Sequence, residues 1–583
     1  MPGHALSLTV IAVYLVLLLA LGVASKRFVR NTSDYFRSGS RGTWWLAGSS
    51  IFMGYFSAWT FTGAAAMAYT AGWSILAIYL FGPITALLQA WRFGPWFRQL
   101  RATTVPEVIR ARFGPVTQQF YAVLQLLAQF LGAAIALYGL SIFIAAFFGV
   151  PVEAAIIVLG VVVLIYSTVG GSWAVMAADY VQSLVVLGMV TITAGLSLWH
   201  LGGLGGMLDK IEAAGLMQAF RFIKDPGEFT LDKFTLPWVL GLGVLGLFET
   251  VSLTNSVRYF SVKDGREARK AALLLAVLSV SGILFWFLPP MAGRLLFADQ
   301  IMATSLDRPE EGAYAVTSML LLPKGMAGLL AVAIIATTLS GMDAGLNRNA
   351  AIIVREICPA VCGLLGRSWT ISEERQLRFS RWISLVTGVA MVLMAMFYAS
   401  RKTLGIFDIM QIFASMVAVP ITVPMGLALL FRRVPAGAAM VSVGCGCAVA
   451  LWGFVSSSVL GEPWSFHFTI FAVSLAGTAG FFATRPFWGR SPEAYRRQVD
   501  EFFTRMERPV DFVAEIGESN DAAQLRILGV FALVVGALSA LLLFTAESWR
   551  DAALMLGFCC FLGLVGGGML WAARRQQHAS PSR

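Results

Sequence analysis

The feature that most constrains this chain is a near-continuous succession of apolar segments long enough to cross a bilayer. Spanning as a helix takes roughly 20 mostly apolar residues. About fifteen such stretches follow one another, near 6–25, 44–71, 73–95, 117–148, 151–169, 173–199, 236–257, 271–297, 326–353, 381–399, 404–431, 435–458, 466–484, 525–545 and 551–573. Lipid offers no partners to backbone amides, so uniformly apolar runs of this length read as helices whose hydrogen bonds are internal. Only 13% of the residues are charged, where a soluble domain carries about 25%. The expected fold class is an all-α integral membrane protein. The first run, 6–24, has no basic stretch before it and carries Lys26, Arg27 and Arg30 after it, flanks that fit a retained helix rather than a signal peptide.

Charge placement sets an expected topology. The formal net charge of +11 could suggest nucleic acid, but the basic residues sit in alternate loops, which is the positive-inside pattern of a multi-pass membrane protein. With the N-terminus outside, the inner loops hold the basic clusters at 26–41, 92–112, 258–270, 355–381, 432–433, 485–508 and 574–583. The outer loops 200–235 and 298–325 are mixed or acidic, with Asp209, Glu212, Asp225, Glu228 and Asp232 in one and Asp299, Asp307, Glu310 and Glu311 in the other. The expectation is a cell (plasma or inner) membrane protein with its C-terminus in the cytoplasm, in contact with lipid and not nucleic acid. The six cysteines form no CxxC pair and the four histidines are scattered, which disfavours a disulfide framework or structural zinc. No nucleotide motif or catalytic His/Asp set appears, so the chain is not expected to be an enzyme.

Within this frame the stretch 44–73, WWLAGSSIFMGYFSAWTFTGAAAMAYTAGW, is unusual. Gly54, Ser57, Thr60, Thr62 and Gly63 fall at mid-membrane depth, interleaved with Tyr55, Phe56, Trp59 and Phe61. Small and hydroxyl residues there suit either a tightly packed helix or a helix that opens and frees its carbonyls toward a cavity. A second Gly-interrupted span, LPWVLGLGVLGLFETVSLTN, begins about 190 residues later and contains Glu249. Interrupted helices at corresponding positions of two halves point to an inverted-repeat transporter, and five spans per repeat fit 44–199 and 236–431. Intramembrane ionisable residues are costly and functional by default; three stand out here, Asp179, Glu249 and Asp343. Thr337, Thr338 and Ser340 put hydroxyls on the apolar span 326–353. They can bond back to carbonyls one turn earlier or contribute oxygen ligands to a hard cation.

Five stretches in this order and spacing carry a resemblance: SDYFRSGSRGTWW (33–45), TTVPEVIRARFG (103–114), GGSWAVMAADYVQ (170–182), SVRYFSVKDGREARKA (256–271) and LLPKGMAGLLAVAIIATTLSGMDAGLN (321–347). Together they resemble the solute:sodium symporters. The resemblance implies a LeuT-type 5+5 inverted-repeat bundle with one extra N-terminal helix and about four extra C-terminal helices. It also implies sodium-coupled import of a small organic solute by alternating access, with Na+ as the coupling ion. The implied sodium site comprises the carbonyls of Met53, Phe56 and Ile334 with the hydroxyls of Thr337 and Thr338. A second ion position would use Asp179, Thr337 and Ser340, although Gly341 stands where two-ion members carry a hydroxyl. Solute candidates are Ser57, Thr60, Tyr79, Gln125, Gln129, Glu249, Asn255 and Gln411. Thr60 replaces the glutamine of sugar carriers, and 117–148 lacks the arginine of sialate carriers. A proton-coupled or uncoupled carrier using Asp179 or Glu249, and a transporter-like membrane sensor, are the alternatives. The sensor would be expected to bring a long output domain.

The expected organisation is 1–43 N-terminal helix and inner loop, 44–199 first repeat, 200–235 outer loop, 236–431 second repeat, 432–484 two added helices, 485–524 inner linker, and 525–583 two last helices and tail. The protein is expected to work as a monomer. In the outer loop a short amphipathic helix is expected near 207–222. In the linker, Tyr495, Val499, Phe502, Phe503 and Met506 share one helical face, which suits a helix lying on the membrane surface or a solvated linker. Asp343 and Arg348 near the inner end of their span could pair as a gate or snorkel.

Overall fold

The structure is a computed structural model and describes residues 2–25, 38–166, 172–367, 369 and 372–579. Among these residues every regular element is helical, and the one extended contact is an isolated bridge between Gly42 and Val262. The principal helices are α1 (Pro2–Ser25), α2 (Trp44–Gly54), α3 (Ala58–Phe61), α4 (Gly63–Ala71), α5 (Ala77–Leu88), α6 (Pro115–Phe148), α7 (Val152–Tyr166) and α8 (Ser172–Leu201). They continue as α9 (Leu236–Val251), α10 (Gly265–Phe285), α11 (Met326–Ile352), α12 (Glu373–Ser400), α13 (Ile406–Phe413) and α14 (Val419–Leu430). The chain ends with α15 (Ala438–Val455), α16 (Phe466–Ala483), α17 (Glu493–Glu507), α18 (Asp521–Ala540) and α19 (Trp549–Ala579). Among the described residues eleven helical stretches are long and apolar enough to cross a membrane, and Val152–Leu164 and Met326–Met342 are shorter apolar helices.

Local chemistry explains the boundaries. Gly114 at φ +89 turns the chain and Pro115 opens α6, where a missing N–H costs nothing. The Asp264 carboxylate accepts the first amides of α10 from Arg266 and Glu267. Pro83 stands inside α5, which runs on through a π turn at Gln89–Phe93. A second π turn, Ala414–Ala418, joins α13 to α14.

The long α6 packs along α11, α12 and α7, while α10 packs on α2 and α5. Helix α8 lies against α2 and α11, and α1 closes over α11 and α8. The pairs α15–α16 and α18–α19 are appended hairpins, the first resting on α14. One end of the bundle carries the basic segments 92–113, 258–270, 432–433 and 485–508, here termed the basic face. The opposite end carries 200–235 and 298–325, the acidic face.

Three sequence expectations change. The helix in 200–235 is Gly203–Ala213, earlier and shorter than 207–222, because Gly215 at φ +67 ends it. The segment 298–325 is largely helical, and its last helix, Ala313–Leu321, is buried beneath the acidic face. The five apolar residues of α17 are all buried against protein rather than laid on a bilayer. Periodicity reports that a face is apolar, not whether lipid or protein covers it.

Candidate ion and solute site

The unusual composition of 44–73 produces a real break. Helix α2 ends at Gly54, Tyr55 to Ser57 are non-helical, and Ser57 is fully extended at φ −149, ψ 172. The helix restarts for one turn as α3, and Thr62 (φ −122, ψ −80) interrupts it again before α4. Each interruption removes i→i+4 partners from nearby carbonyls and amides. The second Gly-rich span behaves alike: α9 stops at Val251, Ser252 is extended at ψ 133, and a 3-10 turn, Leu253–Asn255, leads to the short helix Val257–Phe260.

One of the freed amides goes to α11. The Ala58 N–H donates to Thr338 Oγ1 at 3.0 Å across 280 residues of sequence. Thr338 in turn donates to the Ile334 carbonyl at 2.8 Å, and Thr337 donates to Ala333 at 2.8 Å. Both threonines therefore bond back within their own helix, yet the lone pairs of Thr338 reach the break. The Met53 carbonyl accepts the Phe56 N–H at 3.1 Å. Met53, Phe56, Ile334, Thr337 and Thr338 are all buried, and the Ala58–Thr338 bond brings the two groups of residues together.

Asp179 on α8 is buried and takes Ser50 of α2 and Arg258 of the second break as partners, the guanidinium at 3.6 Å. Ser340 is buried on α11. In sequence Arg258 is one residue of the basic cluster 258–270, with nothing to connect it to Asp179. Only the folded chain brings that arginine, which follows one break, beside an aspartate bonded to the helix that contains the other.

Of the solute candidates, Ser57 and Thr60 belong to the first break and Tyr79 meets it, while Gln125, Gln129 and Gln411 are placed by their own helices. Ser57 is half-buried at the start of α3. Thr60 is buried, with its hydroxyl 3.0 Å from the Tyr79 hydroxyl. The Tyr79 ring meets Trp286 at 4.7 Å, and Trp286 also meets Phe56 at 4.1 Å. Gln125 is buried on α6 and the Gln129 Oε1 is buried without a hydrogen-bond partner. Glu249 is half-buried near the end of α9, within electrostatic reach of Tyr55. Gln411 is half-buried on α13, its carbonyl accepting the Ser415 hydroxyl. The side chains of Asn255 and Asp343 lie outside the described residues, and Arg348 is exposed.

The acidic side of the break is closed. Phe407 stacks on Trp59 at 5.8 Å with an interplanar angle of 13°. A methyl group on Gly63 would lie 2.9 Å from Ile406 and 3.0 Å from the Phe407 amide, and one on Gly139 would lie 2.7 Å from Ile406. Lys233 pairs with Asp408 above them. The basic side is open. Tyr55 is 47% exposed at the midpoint of its span. Gly341, Gly345 and Arg348, at i, i+4 and i+7, continue the Thr337–Thr338 stripe toward the basic face. Gly341 and Arg348 are exposed, and a Cβ on Gly341 or Gly345 would touch nothing within 4 Å among the described residues.

Two interrupted helices docked on a hydroxyl-bearing third, closed at one end and open at the other, form a transporter's architecture. The family model of the sodium:solute symporters matches residues 35–446. The chain is a member of the sodium:solute symporter family. It is 25% identical over 459 residues to the sodium/sialic acid symporter NanT of Aliivibrio fischeri, covering 75% of this chain and 86% of that one. It is 28% identical over 387 residues to human sodium/myo-inositol cotransporter 2, covering 61% and 56%. With rat sodium/glucose cotransporter 2 it shares 25% over 493 residues, covering 78% and 70%. Among solved structures, a Na+-coupled sialic acid symporter in a substrate-bound outward-open state superposes with a TM-score of 0.66 at 21% identity, covering 84% of this chain and 98% of that one. The fold is the LeuT-type inverted-repeat bundle, with α1 before it and the hairpins α15–α16 and α18–α19 after it. This sodium:solute symporter is a membrane transporter coupled to sodium, and not an enzyme.

Proposed function

We propose that this symporter binds sodium where the first break meets α11. The ligands would be the carbonyls of Met53, Phe56 and Ile334 and the hydroxyls of Thr337 and Thr338. The observation that carries the reading is the Ala58–Thr338 hydrogen bond, which holds the opened backbone against the hydroxyl pair. Hard monovalent cations favour neutral oxygen donors of this kind, and both threonine oxygens keep lone pairs after donating their protons back along α11. Sodium would tie the break to α11, and reciprocity requires solute to raise sodium affinity by the factor by which sodium raises solute affinity. Asp179 and Ser340 are assigned to coupling, with Asp179 acting through Ser50 and Arg258 on both broken helices.

The solute is a small polar organic molecule received between Ser57, Thr60, Tyr79, Gln125, Gln129, Glu249, Asn255 and Gln411. Hydroxyl and amide groups dominate this set, and polyhydroxylated solutes of the kind named for the relatives are the first to screen. The repeats are assigned to 44–199 and 236–431. The basic face is assigned to the cytoplasm, which places the N-terminus outside and the C-terminus inside. The working unit is a monomer surrounded by lipid.

A thermal-shift screen of small solutes with and without sodium identifies the solute. Uptake of that solute into proteoliposomes then tests the site: Thr337→Ala/Thr338→Ala must abolish sodium dependence. Uptake driven by a pH gradient in sodium-free buffer would overturn the assignment.

A further inference from the structure

Residues 485–524 do more than connect α16 to α18. The first part, α17, packs on the helices Gly94–Gln99 and Val105–Phe113 and is fastened by side chains to the entry of α6 and the end of α14. Arg112, fully buried, donates from Nε to the Ala428 carbonyl at 3.0 Å and from Nη2 to Phe431 at 2.8 Å, and its Nη1 reaches the Tyr495 hydroxyl at 3.3 Å. Gln498 Nε2 donates to the carbonyls of Arg110 and Ala111 at 2.9 Å, and Asp500 accepts from Arg432 at 2.8 Å.

The second part is fastened elsewhere. Glu515 takes a two-pronged bond from Arg101 at 2.8 and 2.7 Å, and Arg101 also donates to the carbonyls of Arg508 and Pro509. Beyond it Asp521 pairs with Lys263, while Gln524 donates to the Arg41 carbonyl at 2.9 Å and accepts from Thr43 at 3.4 Å. Arg41 and Thr43 lead into α2, and Lys263 follows the second break. These two places form one unit, since the Gly42 N–H donates to the Ser261 carbonyl at 2.8 Å. The segment thus starts on α6 and α14 and ends on the joined inner ends of both broken helices.

Alternating access rocks one helical group against the other around a fixed site. Here, among the described residues, Gly341 and Gly345 have open space toward the basic face while Trp59 and Phe407 close the other side. Contacts that cross the two groups in this arrangement bias it, because only interactions that differ between states shift their equilibrium. We propose that residues 491–524 are a strap that braces the inward-open state, with Lys263–Asp521 and Arg101–Glu515 as its releasable end. This rests on the alternating-access reading of the fold.

The test uses the full-length protein with its six cysteines replaced by serine and a reporter at Gly345→Cys, where a side chain has open space. The rate of maleimide labelling reports vestibule opening. Lys263→Asp and Asp521→Lys should each slow labelling about tenfold, equivalent to about 1.4 kcal/mol in the equilibrium. The swap Lys263→Asp/Asp521→Lys should restore it, which general destabilisation would not do. Unchanged labelling in both single variants, with hydrogen exchange showing 512–524 released, overturns the strap. Slowed labelling that the swap leaves uncorrected overturns it as well. Labelling of the unmodified strap that is insensitive to sodium overturns the rocking itself, a failure distinguishable from that of the strap.

Discussion

Thr338 offers the sharpest test of the ion site, because one hydroxyl is asked to serve two partners. Thr338→Val keeps the branched shape and deletes the oxygen that accepts the Ala58 N–H at 3.0 Å. An orphaned buried amide costs about 1–3 kcal/mol, so the variant should melt below the parent even in potassium or choline buffer. Sodium adds a second, separable signal. At a concentration 100 times its dissociation constant, a ligand bound only to the folded state stabilises it by about 2.7 kcal/mol. Loss of one oxygen from a five-ligand site that weakens binding about 100-fold would leave roughly 0.4 kcal/mol at the same concentration. The assay is the melting temperature of purified protein titrated with sodium at constant ionic strength. The expected result is a lower baseline and a nearly flat titration for Thr338→Val, with Thr338→Ser recovering both. A lowered baseline with the full sodium increment retained would mean that Thr338 only anchors the break. That outcome would refute its assignment as a ligand.

Glu311, on the acidic face outside the spans, is buried and accepts the Ile406 N–H at 2.8 Å, and burial raises its pKa from 4.5 to about 7. The protonated form suits the folded state, so its stabilising contribution is complete below pH 4.5 and is lost as pH rises through about 7, on the order of 3 kcal/mol in all. Glu311→Gln should therefore gain stability over the parent between pH 5 and 8, and a pH-independent difference would contradict this. Arg112→Met should cost on the order of 3–5 kcal/mol by orphaning the last carbonyls of α14. Arg112→Lys should recover little, because an ammonium cannot reproduce the fork, and a melting curve like the parent's for either variant would disprove the cap. Gly63→Ala should destabilise the closed acidic side by about 1–3 kcal/mol, since its methyl meets the Phe407 backbone at 3.0 Å. Gly54→Ala, with nothing within 4 Å, should melt like the parent, and equal effects from the two would remove close packing as the reason.

Much of this was legible beforehand for identifiable reasons. Small and hydroxyl residues at mid-membrane depth left two readings of 44–73 open, and the break at Tyr55–Ser57 decides for the opened helix. The hydroxyl pair Thr337–Thr338 was visible as polarity on an apolar span, although for such a pair alone back-bonding to Ala333 and Ile334 is the commoner arrangement, and the structure contains it. Arg258 was not legible as a partner of Asp179, because 79 positions separate them and no periodicity connects residues on different helices. The packing of α17 was missed for a related reason: its apolar face fits protein and lipid alike.

What the sequence determined by itself is whatever depends on length, local composition and order: membrane helices, the two weak points in them, and the motif series of the family. These follow from the solvent the chain must enter and from backbone hydrogen bonds closed within a few residues. Which hydroxyl meets which freed amide, which face of the break is closed, and what covers the basic face were decided only by the tertiary structure. Those contacts join positions such as Ala58 and Thr338, or Lys263 and Asp521, whose proximity exists only after the helices have packed.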